Sequence, residues 1–315
     1  MFSLKNKRIL LTGGAGFLGR FVRKELLKKG VQETDIIIPR LIEHDLRRRE
    51  MCDQLVSGVD AVIHLAGTVG GIGFNKKHPA KAFYDNAIMA LNIIDASYRA
   101  GVKKFVGIGS ICAYPKFTPV PFREENLWMG YPEETNAPYG LAKKMMLVQS
   151  QAYREEYGFN AIHLLMVNLY GPGDNFDSEN SHVIAALIRK IMEAKQKNLD
   201  FIEVWGTGKP TRAFLYVEDA AEGIVLAAEH YDKPEPMNLG SDMEISIKDL
   251  VSLISRLVDY RGEIRWDTSK PDGQPRRMLD VTHAERELGF RANTLFEEGL
   301  QKTIDWFKSN LDLYK

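Results

Sequence analysis

The chain has 315 residues, 44% of them hydrophobic and 27% charged, and its 42 basic side chains equal its 42 acidic ones in number. This neutral, ordinary composition indicates a globular protein long enough for two lobes, and it argues against a nucleic-acid or membrane-surface partner. Cys52 and Cys112 are the two cysteines; they supply no disulfide framework and fit a reducing cytoplasm. A strand pattern that begins near residue 9, and the lack of a long apolar run, predict neither a signal peptide nor a membrane span.

The first predicted element is a strand at residues 9–11 that runs into a glycine-rich turn. Gly13, Gly16 and Gly19 are spaced G-x-x-G-x-x-G, Gly14 adds a fourth glycine, and an amphipathic helix pattern follows. Strand, glycine turn and helix in this order let the backbone approach a pyrophosphate at the positive end of the helix. The segment therefore predicts a nucleotide cofactor.

Strand-like and helix-like segments alternate through the first half of the chain. This alternation predicts an α/β fold, a Rossmann-type, doubly wound parallel sheet whose ligand lies beyond the carboxyl ends of the strands. The predicted strands are 9–11, 35–38, 61–65, 104–108 and 161–167, and the helices between them include 81–100 and 139–157.

The sequence changes character after Tyr170, where a polar, turn-rich stretch at 171–182 indicates a domain junction. A helix at 183–194, short segments broken by Gly and Pro, and a final helix at 296–310 follow. The expected division is a Rossmann domain at 1–172, to which 214–239 returns, and a smaller C-terminal α/β substrate domain at 173–213 and 240–315.

The end of the second predicted strand bears on the choice of nicotinamide cofactor. An acidic residue at this place binds the ribose 2′-hydroxyl of NAD, whereas here no carboxylate stands between the strand and Arg40. A guanidinium pairs with the 2′-phosphate of NADP through charge-assisted hydrogen bonds. We therefore expect NADPH, with NAD as the alternative because Glu43 follows closely, and we expect Asp45 to reach the adenine.

Tyr139 and Lys143 stand four residues apart in a predicted helix and so project from one face. An ammonium beside a phenol stabilises the phenolate and lowers the tyrosine pKa, which allows proton transfer near neutrality. Ser110 follows the strand 104–108 at the same edge of the sheet, where a hydroxyl stabilises charge on a substrate carbonyl oxygen. With the glycine turn, these three residues resemble in order and spacing the extended short-chain dehydrogenase/reductase family.

A narrower resemblance runs over nearly the whole chain and is weakest between residues 32 and 58. Seven ordered segments carry it: TVGGIGFN (68–75), GSICAYPK (109–116), TNAPYGLAK (135–143), NLYGPGDNF (168–176), NSHVIAALI (180–188), VWGTGKPTRAFLYVED (204–219) and SKPDGQPRRMLDV (269–281). These segments are similar to the GDP-L-fucose synthase family of 3,5-epimerases and 4-reductases. The resemblance implies an NADPH-dependent enzyme for a GDP-linked 4-keto-6-deoxy sugar, without a metal, and a homodimer that pairs helices 81–100 and 139–157.

The same resemblance implies an acid–base pair. Protons at C3 and C5 of a 4-keto sugar are acidic, and inversion requires one group to remove a proton and another to return one on the opposite face. The resemblance assigns the base to Cys112, two residues beyond Ser110, and the acid to His182. Tyr139, supported by Lys143, then stabilises the enolate and protonates O4 as hydride arrives.

Binding residues follow from the resemblance in two groups. Arg212 suits a diphosphate and Trp205 offers a flat face to a base or sugar, whereas Arg189-Lys190 stands where two arginines are expected. The cofactor group is Gly13, Gly16, Phe17, Leu18, Gly19, Arg40, Asp45, Leu65, Ala66, Gly67, Lys143, Asn168, Leu169 and His182, and the substrate group is Val183, Leu187, Lys190, Trp205, Arg212 and Asp272.

Three alternatives stay open at this point. The first keeps the mechanism and changes the sugar to a heptose or a colitose-pathway intermediate, because few residues line a sugar pocket. The second is a 4-reductase that has lost epimerisation. The third is a non-catalytic nucleotide-sensing regulator, against which Tyr139 and Lys143 count. A GDP-mannose 3,5-epimerase without net reduction usually carries a lysine near the position of His182.

Overall fold

The computed structural model describes residues 1–177, 180–270 and 272–314, without the side chains of Ile72 and Leu313. Ser178, Glu179, Pro271 and Lys315 lie outside the described residues, and with them part of the predicted junction at 171–182 and of the segment 269–281.

Strands and helices largely alternate through the first half of the chain, as the pattern predicts, whereas pairs of successive strands occur in the second half; short 3₁₀ helices lie between some elements. In chain order the elements are β1 (Ile9–Thr12), α1 (Phe17–Lys28), β2 (Ile36–Ile37), α2 (Arg49–Leu55), β3 (Ala61–His64), α3 (Ile72–Lys77), α4 (Pro79–Arg99), β4 (Lys104–Ser110), α5 (Ala137–Tyr157), β5 (Ala161–Met166), β6 (Asn168–Tyr170), α6 (Val183–Gln196), β7 (Phe201–Trp205), β8 (Thr211–Tyr216), α7 (Val217–His230), β9 (Met237–Leu239), β10 (Glu244–Ser246), α8 (Ile247–Val258), β11 (Glu263–Asp267), β12 (Arg276–Arg277), α9 (Thr282–Leu288) and α10 (Phe296–Ser309).

A six-stranded sheet organises the first lobe in the order β2-β1-β3-β4-β5-β9, and its pairings are parallel. Helices cover both faces. Ile9 and Leu11 of β1 point into the core shared with α1 and α7, whereas Leu10 points into the core formed with α2 and α4. A strand buried on both faces requires an uninterrupted apolar run, which is why this one is visible in the sequence. The predicted fold class is confirmed.

The second lobe has its own core between α6, α8 and α10, and two small sheets border it. β7 pairs with β11, and β8 pairs with β6, β10 and β12. Because β6 follows β5 directly, this arrangement brings β8 and β12 close to the carboxyl edge of the large sheet.

The packing bears on the predicted division into domains, which remains a prediction. α7 and β9, within 214–239, belong to the first lobe, the latter as its edge strand. Leu279, Ala284 and Phe290 also pack into the first core, although the predicted boundary gives them to the second domain. The packing therefore favours assigning 279–290 to the cofactor lobe.

Candidate active site

The glycine turn lies where β1 meets α1. Gly13 has φ +71°, and a Cβ there would lie 2.8 Å from the Ala66 nitrogen, so a side chain does not fit. Gly16 is the N-cap of α1, residues 17–18 open its first turn, and Gly19 packs against the Gly13 carbonyl. The unpaired N–H groups at the start of α1 therefore border a cradle suited to a pyrophosphate.

The loop after β3, residues 65–67, abuts this cradle. The Ala66 amide donates to the Thr12 hydroxyl at the end of β1, with N and Oγ1 3.2 Å apart. Asn86 of α4 holds the loop, since its amide bonds the backbone nitrogen and carbonyl of Thr68 at 3.1 and 2.9 Å. The predicted cofactor residues of β1 and β3 thus meet at one edge of the sheet.

The segment beyond β2 carries the groups expected to choose between NADP and NAD. Arg40 and Glu43 are both exposed. Both carboxylate oxygens of Asp45 accept hydrogen bonds from Arg47 at 2.7–3.1 Å, which holds the pKa of Asp45 below its usual range. Arg47 also reaches Asp85 at 3.3 Å. The contact of Asp45 with adenine stays a prediction, and its carboxylate is already engaged.

β4 delivers Ser110 and Cys112 to the carboxyl edge of the sheet. The Ser110 hydroxyl accepts from the Cys112 amide at 3.2 Å and caps a short 3₁₀ turn, Ile111–Ala113. α5 lies directly on this turn, because a Cβ on Gly140 would overlap the Cys112 carbonyl. Tyr139, next to Gly140, is thereby brought close to both Ser110 and Cys112, which each influence the pKa of its phenol.

Tyr139 and Lys143 share one face of α5, as their spacing predicts, with Nζ 5.8 Å from the ring centroid. Burial lowers the pKa of Lys143, which is 5% exposed, to about 8. Burial also raises the pKa of Tyr139; Cys112 adds to this rise and the Ser110 hydroxyl opposes it. In the chain by itself the pKa of Tyr139 is therefore raised rather than lowered as expected, and burial is the main cause.

His182 lies at the start of α6, as its N-cap. The side chain is exposed to the cleft, yet the protein atoms around the ring displace enough water to lower its pKa. Its loop is tied to the loop after β3, since the Gly71 amide donates to the Asn180 carbonyl at 3.3 Å. Asn168 and Leu169 lie on β6, which pairs with β8.

The predicted substrate residues come from separate elements of the second lobe. Val183 and Leu187 lie in the first turns of α6, with Leu187 buried in the core. The Lys190 ammonium donates to the Glu203 carbonyl at 2.8 Å. Trp205 ends β7 with 65% of its surface exposed. Its indole is therefore largely open to solvent.

Asp272 and Arg212 flank the turn that follows Trp205. Asp272 accepts from the Thr207 amide and hydroxyl at 2.6 and 2.8 Å, and these bonds lower its pKa. Arg212 donates to the Asp272 carbonyl at 3.5 Å. Burial lowers the pKa of Arg212 to about 10, with the neighbouring Arg277 cation adding to the effect. Two crowded guanidiniums favour an anionic ligand such as a diphosphate.

Arg277 is a site residue that the sequence did not single out. Its Nη2 donates to the Cys112 sulfur, with the two atoms 3.2 Å apart. The residue lies inside the segment 269–281 that carries the resemblance, but a two-residue strand has no pattern from which its partner can be read.

Sheet, glycine turn and the Ser110–Tyr139–Lys143 group define an extended short-chain dehydrogenase/reductase. Among residues 1–177, 180–270 and 272–314, no three or more His, Cys, Asp or Glu side chains are grouped to hold a metal ion. Nor does any helix in these ranges have the length and apolar character needed to cross a bilayer.

Comparison with known proteins narrows the class. The NAD dependent epimerase/dehydratase family matches residues 9–240. A GDP-L-fucose synthase of Sinorhizobium fredii is 42% identical over 99% of this chain and 98% of its own. The crystal structure of a GDP-L-fucose synthetase from Naegleria fowleri bound to NADP gives a TM-score of 0.88 at 30% identity, covering 100% of this chain and 98% of that one. A GDP-6-OMe-4-keto-L-xylo-heptose reductase from C. jejuni gives 0.89 at 26% identity, covering 97% and 98%. The chain belongs to the GDP-L-fucose synthase family, as the resemblance predicts.

Proposed function

We propose that this chain converts GDP-4-keto-6-deoxy-D-mannose to GDP-L-fucose, with epimerisation at C3 and C5 followed by NADPH-dependent reduction at C4. The observation that carries the proposal is the meeting of Cys112, Ser110 and Tyr139, which the packing of Gly140 on the Cys112 carbonyl enforces. The thiol would then remove protons from the carbons beside the ketone, and the phenol would act on the oxygen of the same ketone.

The residues around the glycine turn fit NADPH. Gly13 lets β1 approach the loop after β3, since a Cβ there would lie 2.8 Å from the Ala66 nitrogen. The N–H groups at the start of α1 would suit a pyrophosphate, and the exposed Arg40 would pair with the 2′-phosphate. When bound, NADPH supplies the hydride for C4. The other residues proposed to hold it are Gly16, Phe17, Leu18, Gly19, Asp45, Leu65, Ala66, Gly67, Lys143, Asn168, Leu169 and His182.

In the epimerisation, the Cys112 thiolate takes a proton from C3 or C5. The C–H electron pair moves into an enolate whose oxygen Ser110 and Tyr139 stabilise by hydrogen bonding. His182 then returns a proton to the same carbon on the opposite face. Its lowered pKa makes the imidazolium a stronger acid, so His182 gives up the proton readily once it has taken one up.

In the reduction, Tyr139 gives its hydroxyl proton to O4 while hydride reaches C4. Burial raises the tyrosine pKa and so keeps the phenol protonated, hence able to donate, at neutral pH. Lys143, with a pKa of about 8, is mainly cationic at neutrality and stabilises the phenolate that remains. The opposed pKa shifts therefore suit proton donation to a ketone.

The GDP part of the substrate is proposed to lie against the second lobe. Arg212 binds the diphosphate through its guanidinium and Lys190 adds a second positive charge. Trp205 stacks on the base or sugar. Asp272 holds the turn between Trp205 and Arg212 through its hydrogen bonds to Thr207. Val183 and Leu187 complete the apolar wall at the start of α6.

We also propose a homodimer through α4 and α5. Tyr84 and Leu91, seven residues apart on α4, and Val148 on α5 are exposed large hydrophobic side chains. Two such helix pairs bury each other's apolar stripes in a four-helix bundle. Sedimentation should give a dimer for the wild type and a monomer for Leu91→Glu.

Free thiols at Cys52 and Cys112 fit action in a reducing cytoplasm.

A second candidate keeps the mechanism and changes the sugar. The likeness to a heptose reductase from C. jejuni favours a GDP-linked 4-keto-heptose as the alternative substrate. The residues that contact the nucleotide are expected to bind the GDP part of either substrate. Only an assay with each GDP-sugar therefore distinguishes the two functions.

The proposal is tested with purified protein, NADPH and GDP-4-keto-6-deoxy-D-mannose in deuterated water, followed by NMR of the product. We expect NADPH oxidation and a GDP-L-fucose product with deuterium at C3 and C5. An unepimerised D-sugar would instead make the chain a 4-reductase. Binding of NADPH without oxidation would direct the test to heptose substrates, and to a sensor if they also fail.

The base is tested separately with Cys112→Ser. We expect deuterium entry at C3 and C5 to fall by about 10²- to 10⁴-fold, the usual contribution of a general base. NADPH affinity should be unchanged, because the cofactor residues are untouched. Exchange at the wild-type rate would remove Cys112 from this role.

A further inference from the structure

Arg277 occupies an unusual place for a cation in this fold. It pairs in register with Arg212 across β12 and β8, so the two side chains share a face of the sheet. Its neighbour Arg276 points to the other face and forms an ion pair with Glu244, with Nη2 and Oε2 2.7 Å apart. Arg276 therefore points outward to a carboxylate, whereas Arg277 points inward to the cleft.

The inward guanidinium ends on the Cys112 sulfur. Nη2 of Arg277 lies 3.2 Å from Sγ, while its Nε is buried without a hydrogen-bond partner in the described part of the chain. Within the same part, Arg277 forms no ion pair with a carboxylate, whereas Arg276 does. The sulfur is therefore the group that this cation contacts across the cleft.

We propose that Arg277 is a positioning residue for the epimerisation, which holds the Cys112 sulfur and stabilises negative charge on it. The inference rests on the proposed function, because it assumes that Cys112 is the base. As the C–H bond of C3 or C5 breaks, the sulfur gains the proton and the electron pair passes to the enolate; Arg277 stays charged throughout. A guanidinium suits this task because it stays protonated beside a thiolate.

The contact also joins the two lobes at the reacting atoms. Cys112 comes from the 3₁₀ turn after β4 of the first lobe and Arg277 from β12 beside the second, 165 residues apart in the chain. Arg212, the next guanidinium on the same face, is proposed to bind the diphosphate. Arg212 at the proposed diphosphate site and Arg277 at the sulfur therefore lie side by side on β8 and β12. The strands that bind the substrate would then also position the base.

The test measures the sulfur in the free enzyme, without substrate or cofactor. Iodoacetamide is added at one fixed pH, and alkylation of Cys112 is followed by peptide mass spectrometry. Arg277→Gln, which keeps the size and removes the charge, should slow alkylation about 10- to 100-fold, the effect of losing a hydrogen bond to a charged group. Arg277→Lys should recover part of the rate, and Arg276→Gln should leave it unchanged, because Arg276 pairs with Glu244 on the other face of the sheet.

Cys52 serves as the internal control. It is fully buried, donates to the Leu46 carbonyl, and burial raises its pKa to about 12, so it stays unmodified while the protein is folded. Its alkylation in Arg277→Gln would identify a folding defect, and the Arg277→Lys comparison would then decide the question.

The second measurement is catalytic. In Arg277→Gln we expect deuterium entry at C3 and C5 to fall about 10- to 100-fold, with NADPH affinity unchanged. The isotope effect of 4-deuterated NADPH on kcat should shrink, because epimerisation becomes slower than hydride transfer.

Two outcomes would overturn the inference, and they are distinguishable. Unchanged Cys112 alkylation with a raised KM for the GDP-sugar would mean that Arg277 serves only the diphosphate, and the proposed function would stand. Normal exchange at C3 and C5 in Cys112→Ser would remove the base itself, and the proposed function and the inference would fall together.

Discussion

The two sides of the cleft are constructed in different ways. On the cofactor side, Ser110 and Tyr139 are fixed by backbone packing, since Gly140 lets α5 rest on the Cys112 carbonyl. On the nucleotide side, Trp205 ends a strand of a two-stranded sheet, and its exposed indole is positioned by side-chain contacts, such as that of Lys270, whose ammonium lies 5.7 Å from the ring centroid.

This difference predicts how each side responds to substitution. Groups buried at the edge of a rigid sheet hold the reacting atoms, so their loss should appear in kcat. Exposed groups on short strands contribute binding that is similar in the ground state and the transition state. Their loss should appear in KM. Tyr139→Phe and Trp205→Ala, described below, test this contrast directly.

Tyr139→Phe should have the largest effect. Removal of the phenolic proton donor should lower kcat by about 10²- to 10⁴-fold, the usual contribution of a general acid. NADPH binding, measured by fluorescence titration, should be unchanged because the ring and Lys143 remain. A steady-state assay of NADPH oxidation gives the result.

Tyr153→Phe is the matched control for this variant. Tyr153 lies on the same helix, and its hydroxyl bonds Asp95 at 3.0 Å rather than a group of the site. It should keep the wild-type kcat. If both variants lost activity equally, the effect would come from α5 as a whole, and the contrast between the two sides would fail.

Arg40→Ser should change cofactor preference without affecting the chemistry. Loss of charge-assisted hydrogen bonds to the 2′-phosphate should cost about 1.5–3 kcal/mol. The ratio of kcat/KM for NADPH to that for NADH should therefore fall roughly 10- to 100-fold. Arg49→Ser is the control, since that guanidinium is 3.2 Å from Asp95. An unchanged ratio in Arg40→Ser would locate the discrimination elsewhere.

Much of the cofactor side is predictable because its signals are local. The glycine turn, the i, i+4 spacing of Tyr139 and Lys143, and the position of Ser110 after an apolar strand each lie within a few residues. Parallel strands then bring these segments to one edge without further information. The order of these segments along the chain is therefore enough to predict the cofactor side of the site.

The missed features are of two kinds. The contact of Cys112 with Arg277 spans 165 residues and depends on the pairing of a two-residue strand, so no local pattern encodes it. α8, by contrast, has a clear local helix signal, although only short segments are predicted in this region from the sequence. Ser246 caps it by accepting from the Asp249 amide, and Leu250 and Ile254 are buried at helical spacing.

His163 offers a test of the burial beneath the catalytic side. It pairs in register with Gly107 of β4, is 1% exposed, and neither ring nitrogen has a hydrogen-bond partner among the described residues. Burial, with the positive charge of Lys143, lowers its pKa to about 3. The unfolded chain binds a proton below about pH 6.5 and the folded chain does not, so stability is lost as the pH falls below that value.

At pH 5 this difference amounts to about 2 kcal/mol of unfolding free energy. His163→Leu should therefore lose about that much less stability than the wild type between pH 7.5 and pH 5, measured by urea unfolding at both values. The pH 7.5 measurement removes the packing difference between the two side chains. Equal losses in both proteins would mean that His163 takes up a proton in the folded state.

Trp205→Ala should have the smallest effect. Stacking of a base or sugar on an aromatic face contributes about 1–3 kcal/mol, so KM for the GDP-sugar should rise roughly tenfold. kcat should stay within about twofold of the wild type, because the exposed indole contributes binding that is similar in the ground state and the transition state. Steady-state kinetics with varied GDP-sugar provide the measurement.

Phe201→Ala is the control, since it removes an aromatic ring from the same strand and face. Phe201 is exposed like Trp205 and has its own cation, Arg265, 3.7 Å from the ring centroid. If Trp205 only anchors Lys270 at the surface, both variants should lose similar stability and neither should change KM. A rise in KM confined to Trp205→Ala would assign the nucleotide to the end of β7. A fall in kcat there would instead mean that the exposed side, too, positions the reacting atoms.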